Sequence, residues 1–172
     1  MTSRSPSPRY SSSGTASAAG SFFRGLSVKR RAAPHEIDAT GARGVQCDPP
    51  GDWRTWLFMG GRGSGKTRAG AEWVRGVVEG GAQRIALVAP TFNDVREVMI
   101  EGPSGLMNIG PEAGRPRYEA SRKRVVWPGG AVGYAFSAED ADGLRGPQFD
   151  FAWGDEVAAW ANPQRVIDTL RM

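Results

Sequence analysis

The chain has one cysteine, Cys47, and one histidine, His35, in 172 residues. A single thiol forms no internal disulfide and no zinc cluster. That fits a reducing cytoplasm. A single histidine leaves Cys–His and Ser–His–Asp catalysis without a full set of partners. No apolar run is long enough to span a membrane. The N-terminus lacks the apolar segment of a secretory signal. It is rich in Arg and Ser and poor in acids, a composition shared with organelle transit peptides. No internal repeat stands out.

Aliphatic residues are also scarce across residues 1–52, where Ser, Pro, Gly, Ala and Arg dominate. Such a stretch buries too little apolar surface to offset the entropy of ordering it. It reads as a disordered arm. Before Glu36 its charges are all positive: Arg4, Arg9, Arg24, Lys29, Arg30 and Arg31. A basic arm attracts phosphate backbones or anionic surfaces. A solvated tail with no partner is the plainer reading. The net charge is +4. The folded unit is expected over residues 53–172, a common size for one domain.

Within that unit, Trp53 to Met59 is a short apolar run ending at glycines and reads as a buried strand. Lys66 to Glu79 reads as a helix, with Ala69, Trp73 and Val77 on one face and Glu72, Arg75 and Glu79 on another. Arg84 to Ala89 is a second buried strand, closed by Pro90. Asn93 to Ile100 reads as a helix capped by Asn93 or Asp94. Arg117 to Val132 looks like a hairpin with a Pro-Gly-Gly turn, and Tyr134 to Ser137 extends or follows its second arm. Phe149 to Gly154 is a further strand, and Pro163 to Leu170 a last helix. Alternating strands and helices predict an α/β fold with a mostly parallel sheet.

Residues 60–67 read GGRGSGKT. Gly60, Gly65, Lys66 and Thr67 fill every fixed position of the phosphate-binding loop G-x-x-x-x-G-K-[ST], and a strand precedes it while a helix follows. Gly61 and Gly63 let the backbone curl, so that N–H groups across Gly60 to Thr67, Ser64 included, point into one concavity. The helix N-terminus adds its positive dipole end. Lys66 is expected to reach the β- and γ-phosphates of ATP, and Thr67 to ligate Mg²⁺. A Gly-rich turn that binds nothing is the alternative.

Such a site needs a carboxylate at the end of a later strand. Asp155 follows the strand and Glu156 follows Asp155. Asp155 suits the metal, and Glu156 suits the attacking water. A kinase needs no paired Glu, because its acceptor is a bound hydroxyl. The pair therefore favours hydrolysis. Two exposed acids at a strand end are the alternative. Asp150 interrupts the apolar run and is the next candidate base after Glu156.

GGRGSGKTRAGAEWV, LVAPTFNDVREVMIEGPSGL and SAEDADGLRGPQFDFAWGDEVAAW resemble the ATPase domain of phage and prophage large terminases, in the branch found in prophages and gene transfer agents. The resemblance runs from about Trp53 onward, with three motifs in the family's order. It implies a P-loop NTPase fold of the ASCE type, a three-layer sandwich incomplete at its C-terminus. It implies an ATPase that drives double-stranded DNA into a capsid, as a ring on a portal protein with a small terminase subunit, in the bacterial cytoplasm. Gly60 to Thr67 becomes the Walker A loop, and Asp155-Glu156 becomes Walker B with the catalytic carboxylate. Arg62 becomes a γ-phosphate sensor, and Arg145 a residue acting on a neighbouring subunit's nucleotide. For each arginine a surface ion pair is the alternative. Trp53 and Trp56 sit where relatives contact adenine, although aromatics in a first strand are more often core. Arg115, Arg117, Arg122, Lys123 and Arg124, with Tyr118 and Trp127, form either a DNA-facing surface or a solvated hairpin.

Relatives continue into a coupling motif and a nuclease domain, so the chain reads as truncated, with no residues to cut DNA. Two other functions compete: another P-loop NTPase, kinase or helicase-like, and an inert remnant that binds without turnover.

Overall fold

The computed structural model describes residues 27–29 and 53–171. Strands are β1 (Ser27–Lys29), β2 (Trp56–Phe58), β3 (Arg84–Ala89), β4 (Arg117–Glu119), β5 (Arg124–Val126), β6 (Val132–Ser137) and β7 (Phe151–Gly154). Helices are α1 (Lys66–Glu79), α2 (Phe92–Asp94) and α3 (Pro163–Leu170). A five-stranded sheet runs in the order β4-β5-β6-β3-β7. β6 and β7 flank β3 in parallel, and β5 alone opposes its neighbours. The expected mostly parallel sheet forms.

β3 organises the core because its sequence, RIALVA, is apolar on both faces. Ile85, Leu87 and Ala89 turn toward α1 and the segment after α2, where Val74, Val95 and Met99 pack. Ala86 and Val88 turn the other way, toward Leu144, Trp160 and Val166 of α3. A strand buried on both faces needs a helical layer on each side, so the fold has three layers. Ile85, Leu87 and Val88 are fully buried, each contributing about 1.5–3 kcal/mol.

Three local expectations change. The run from Trp53 to Met59 is not a buried strand of the main sheet: β2 is half-buried, pairs in parallel with β1, and ends at an exposed Met59. Its rings pack into an aromatic cluster, Trp56 stacking on Phe58 and Trp53 meeting Trp56 and Trp73. The helix expected at Asn93 begins at Phe92 and continues as a π-helix over Val95–Ile100. Its N-cap is Thr91, which exchanges hydrogen bonds with Asp94 in a capping box. Around Arg117 to Val132 the chain reverses twice. Ala120–Arg122 and Lys123, in left-handed conformation, turn β4 into β5, and the Pro-Gly-Gly turn joins β5 to β6. Of residues 1–52, read as an arm, only β1 is described; the rest of that reading lies outside the described residues. Among the described residues, no helix is long and apolar enough to cross a membrane.

Candidate functional site

α1 begins without a side-chain cap, at Gly65 in left-handed conformation (φ 82°). Gly63 also has positive φ, at 74°. These two glycines, not Gly61, carry the unusual dihedrals of the loop. They curl residues 60–65 over the uncapped N–H groups of α1, which leaves those donors free for an anion. At Gly60 a Cβ would collide with the Ser64 side chain, so the loop closes on itself only with glycine there.

α1 is seated against β7 by a second glycine. A Cβ on Gly70 would enter the indole ring of Trp153, which is itself buried. The buried stripe of α1 is accordingly Ala69, Gly70, Ala71 and Val74, while Trp73 and Val77 flank it. This close approach brings the start of α1 beside the end of β7.

There Asp155 is 6% exposed. Its Oδ2 accepts from the Thr67 hydroxyl at 3.2 Å, and its Oδ1 from the Glu156 N–H at 3.1 Å. Its backbone is held from both sides, the N–H donating to Val88 and the carbonyl accepting from the Trp160 indole at 3.0 Å. Burial pushes the Asp155 carboxyl above its ordinary range, against the Thr67 and Glu156 hydrogen bonds that lower it. A buried carboxylate held in place but short of positive charge suits a cation. Asp155 and Thr67 offer hard oxygen donors, and Mg²⁺ takes its other ligands from phosphates and water. The donor set therefore fits a Mg²⁺-nucleotide. Among the described residues no larger cluster of metal-ligating side chains competes with it.

Glu156 has φ 49° and ψ 42°, rare for a residue with a side chain. The left-handed region costs about 1–2 kcal/mol for such residues. Strain of this kind recurs at functional sites. Glu156 stands 3.8 Å from the Lys66 ammonium, which donates to the carbonyls of Gly60 at 3.0 Å and Gly61 at 3.3 Å. Beside the two carboxylates lies a cavity of about 150 Å³, walled by Pro90, Asp94 and Val98. That is room for a few waters.

Lys66, Thr67, Asp155 and Glu156 thus come together. Arg62 lies in the loop, exposed, with no ion pair among the described residues. Arg145 is exposed and pairs with Asp142 at 3.2 Å, while Asp142 also accepts from Arg165 of α3. Asp150 does not belong to the site. It caps the opposite end of the sheet, accepting from the N–H groups of Gln83 and Arg84 at 2.8 and 2.9 Å. Asp155 is five residues away along an extended chain, roughly 16 Å. Sequence reasoning missed Gly70 and Trp160, which position β7 against α1 and fix Asp155. Neither leaves a local signal. The Thr-x-x-Asp pattern from Thr91 to Asp94 did carry one.

The chain is a three-layer α/β sandwich that sets a glycine-rich loop and the start of a helix beside a buried carboxylate at a strand end, the arrangement of a phosphate-binding domain. Residues 57–171 match the family described as terminase large subunit, T4likevirus-type, N-terminal, and the chain belongs to that family. No curated protein sequence matches it. Among solved structures it is similar to the large terminase ATPase domain of Thermus phage P74-26, at 17% identity and a TM-score of 0.49. That match covers 81% of this chain, which spans 61% of the phage structure's chain.

Proposed function

We propose that residues 53–172 form the ATP-hydrolysing domain of a motor that drives double-stranded DNA into a viral or phage-like capsid. The full machine is read as a ring of such subunits on a portal, supplied by a small terminase subunit, in the cytoplasm of a bacterial cell. The observation that carries this reading is the Thr67–Asp155 hydrogen bond beside the Lys66–Glu156 pair. In a chain of this family, that juxtaposition supports hydrolysis over mere nucleotide storage.

The proposed division of labour follows from the geometry. The N–H groups of Gly60 to Thr67, Arg62 among them, would wrap the phosphates, and Lys66 would exchange its carbonyl partners for phosphate oxygens. Thr67 and Asp155 would hold Mg²⁺. When bound, the ion would neutralise charge between the β- and γ-phosphates. Glu156, exposed beside Lys66, would orient a water from the adjoining cavity and take its proton. Arg62 and Arg145 are the cations available to neutralise developing charge. Arg145 must leave Asp142 to do so, a small penalty for an exposed pair.

The test is ATP hydrolysis by the purified chain with and without duplex DNA. Turnover stimulated by DNA supports the motor reading. Transfer of phosphate to a small acceptor in place of water would contradict it.

A further inference from the structure

We propose that the outer face of the β4–β5 hairpin holds the phosphate backbone of duplex DNA. The choice of DNA rests on the packaging reading; the location goes beyond it.

Pairing across the hairpin sorts its side chains. Tyr118 faces Val125, and both pack into the core. Arg117, Glu119 and Arg124 therefore share the other face, with Arg124 opposite Glu119 and beside Tyr134 of β6. Arg117 donates to Glu119 at 2.9 Å and Arg124 at 2.8 Å, while Arg122 stands at 4.0 Å. One carboxylate thus gathers three guanidiniums and neutralises one. Lys123, over the Phe92 ring, and Arg115, donating to the Gly110 carbonyl, turn to the core side of the hairpin. The surplus on this face therefore comes from the three arginines, with no other acid between residues 115 and 124.

Glu119 acts as a clamp. Arg124 first, then Arg117, holds its carboxyl below the ordinary range, so it stays ionised and keeps the guanidiniums in one place. Each guanidinium has five N–H donors, and a single carboxylate leaves most of them unused. Pre-ordered cations bind an anion with less loss of side-chain freedom. The turn is also pinned, because the Lys123 ammonium sits 4.7 Å over the Phe92 ring.

The occupant is best matched by a dense row of phosphates. Guanidiniums suit phosphate oxygens geometrically, and a duplex carries a charge about every 1.7 Å along its axis. A membrane surface fits less well. Large exposed apolar side chains among the described residues are Met59, Val98 and Phe151, none on the hairpin, and interfacial binding needs an apolar anchor. The position is also apt. β5 runs opposite to β6, so the Ala120–Lys123 turn lies at the carboxyl end of the parallel strands, where Asp155 also lies. Three strand spacings separate β5 from β7, about 14 Å.

The test titrates a fluorescein-labelled duplex with the full chain, without nucleotide, over a series of salt concentrations. Arg117→Gln combined with Arg122→Gln removes the two most exposed guanidiniums, 73% and 68% accessible, and leaves the Arg124–Glu119 bond. Affinity at low salt should fall roughly tenfold or more, and the slope of log K against log salt should flatten by about 2. Arg68→Gln with Arg165→Gln removes equal charge elsewhere and should change little. If the double variant does not melt like the parent, Arg122→Gln alone carries the test, with a flattening of about 1. Parental affinity and slope in the hairpin variant would overturn the proposal. So would equal loss in the control, no duplex binding by the parent, or loss of binding to anionic vesicles with duplex binding intact. Because no turnover is read, failure here leaves the ATPase reading untouched, and an inactive chain that binds duplex through the hairpin leaves this one standing.

Discussion

Thr67 and Asp155 lie 88 positions apart, and the Thr67 hydroxyl donates to the Asp155 carboxylate at 3.2 Å. The contact joins the first turn of α1 to the end of β7 and sets a buried acid beside the phosphate-binding loop. Most of the chemistry proposed for this domain depends on that distance.

Asp155→Asn tests whether the burial is functional. Burial raises the Asp155 carboxyl above its unfolded value. The folded chain then holds the proton more tightly than the unfolded one. Stability therefore falls as pH rises between the two values, and the ionised form at neutral pH is the destabilised one. Asparagine removes that charge. Without Mg²⁺ the melting midpoint should rise by roughly 2–5 °C, while the stabilisation given by Mg²⁺-ATP should vanish. A lower midpoint without Mg²⁺ would mark Asp155 as structural.

Gly70→Ala probes the close seat of α1 on Trp153. Alanine favours a helix over glycine by up to about 1 kcal/mol. A methyl group inside the indole ring's space costs more, about 1–3 kcal/mol for an overpacked core. The denaturant midpoint should fall, and nucleotide affinity with it, because the start of α1 shifts away from Asp155. A gain in stability would show that the helix does not press on Trp153.

Asp150→Asn separates the two ends of β7. The N–H groups of Arg84 and then Gln83 hold the Asp150 carboxyl below its ordinary value. Its stabilising effect is present above the unfolded value and is lost as pH falls through the folded one. The urea midpoint should drop at pH 7, and the gap from the parent should close in acid. ATP turnover should persist. A variant that unfolds like the parent at pH 7 but fails to hydrolyse ATP would move Asp150 into the site.

Much of this was legible in the sequence because the signals are local. The spans of α1, β3 and α3 follow from periodicity, glycine and proline, and the loop at Gly60 to Thr67 follows from its spacing. What was not legible depends on distant partners. WRTWLFM has the composition of a core strand, yet its rings pack on one another and on Trp73. Lys123 turns the chain with neither glycine nor proline, helped by its contact with Phe92. Asp150 and Asp155 look alike in sequence, and only the direction of β7 assigns them to opposite ends of the sheet. Gly154 interrupts the apolar run for a reason invisible locally: a Cβ there would strike the ring of Trp160, whose indole holds the Asp155 carbonyl.

The central claim is that Glu156 activates water while Thr67 and Asp155 hold the metal. The most direct measurement is single-turnover hydrolysis of Mg²⁺-ATP by Glu156→Gln beside the parent, with bound nucleotide assayed in both, using a reconstituted longer form if the chain alone is inactive. Nucleotide should remain bound, and hydrolysis should fall about a hundredfold or more, the scale for losing a general base. Hydrolysis at the parental rate would remove Glu156 from the mechanism and contradict the account.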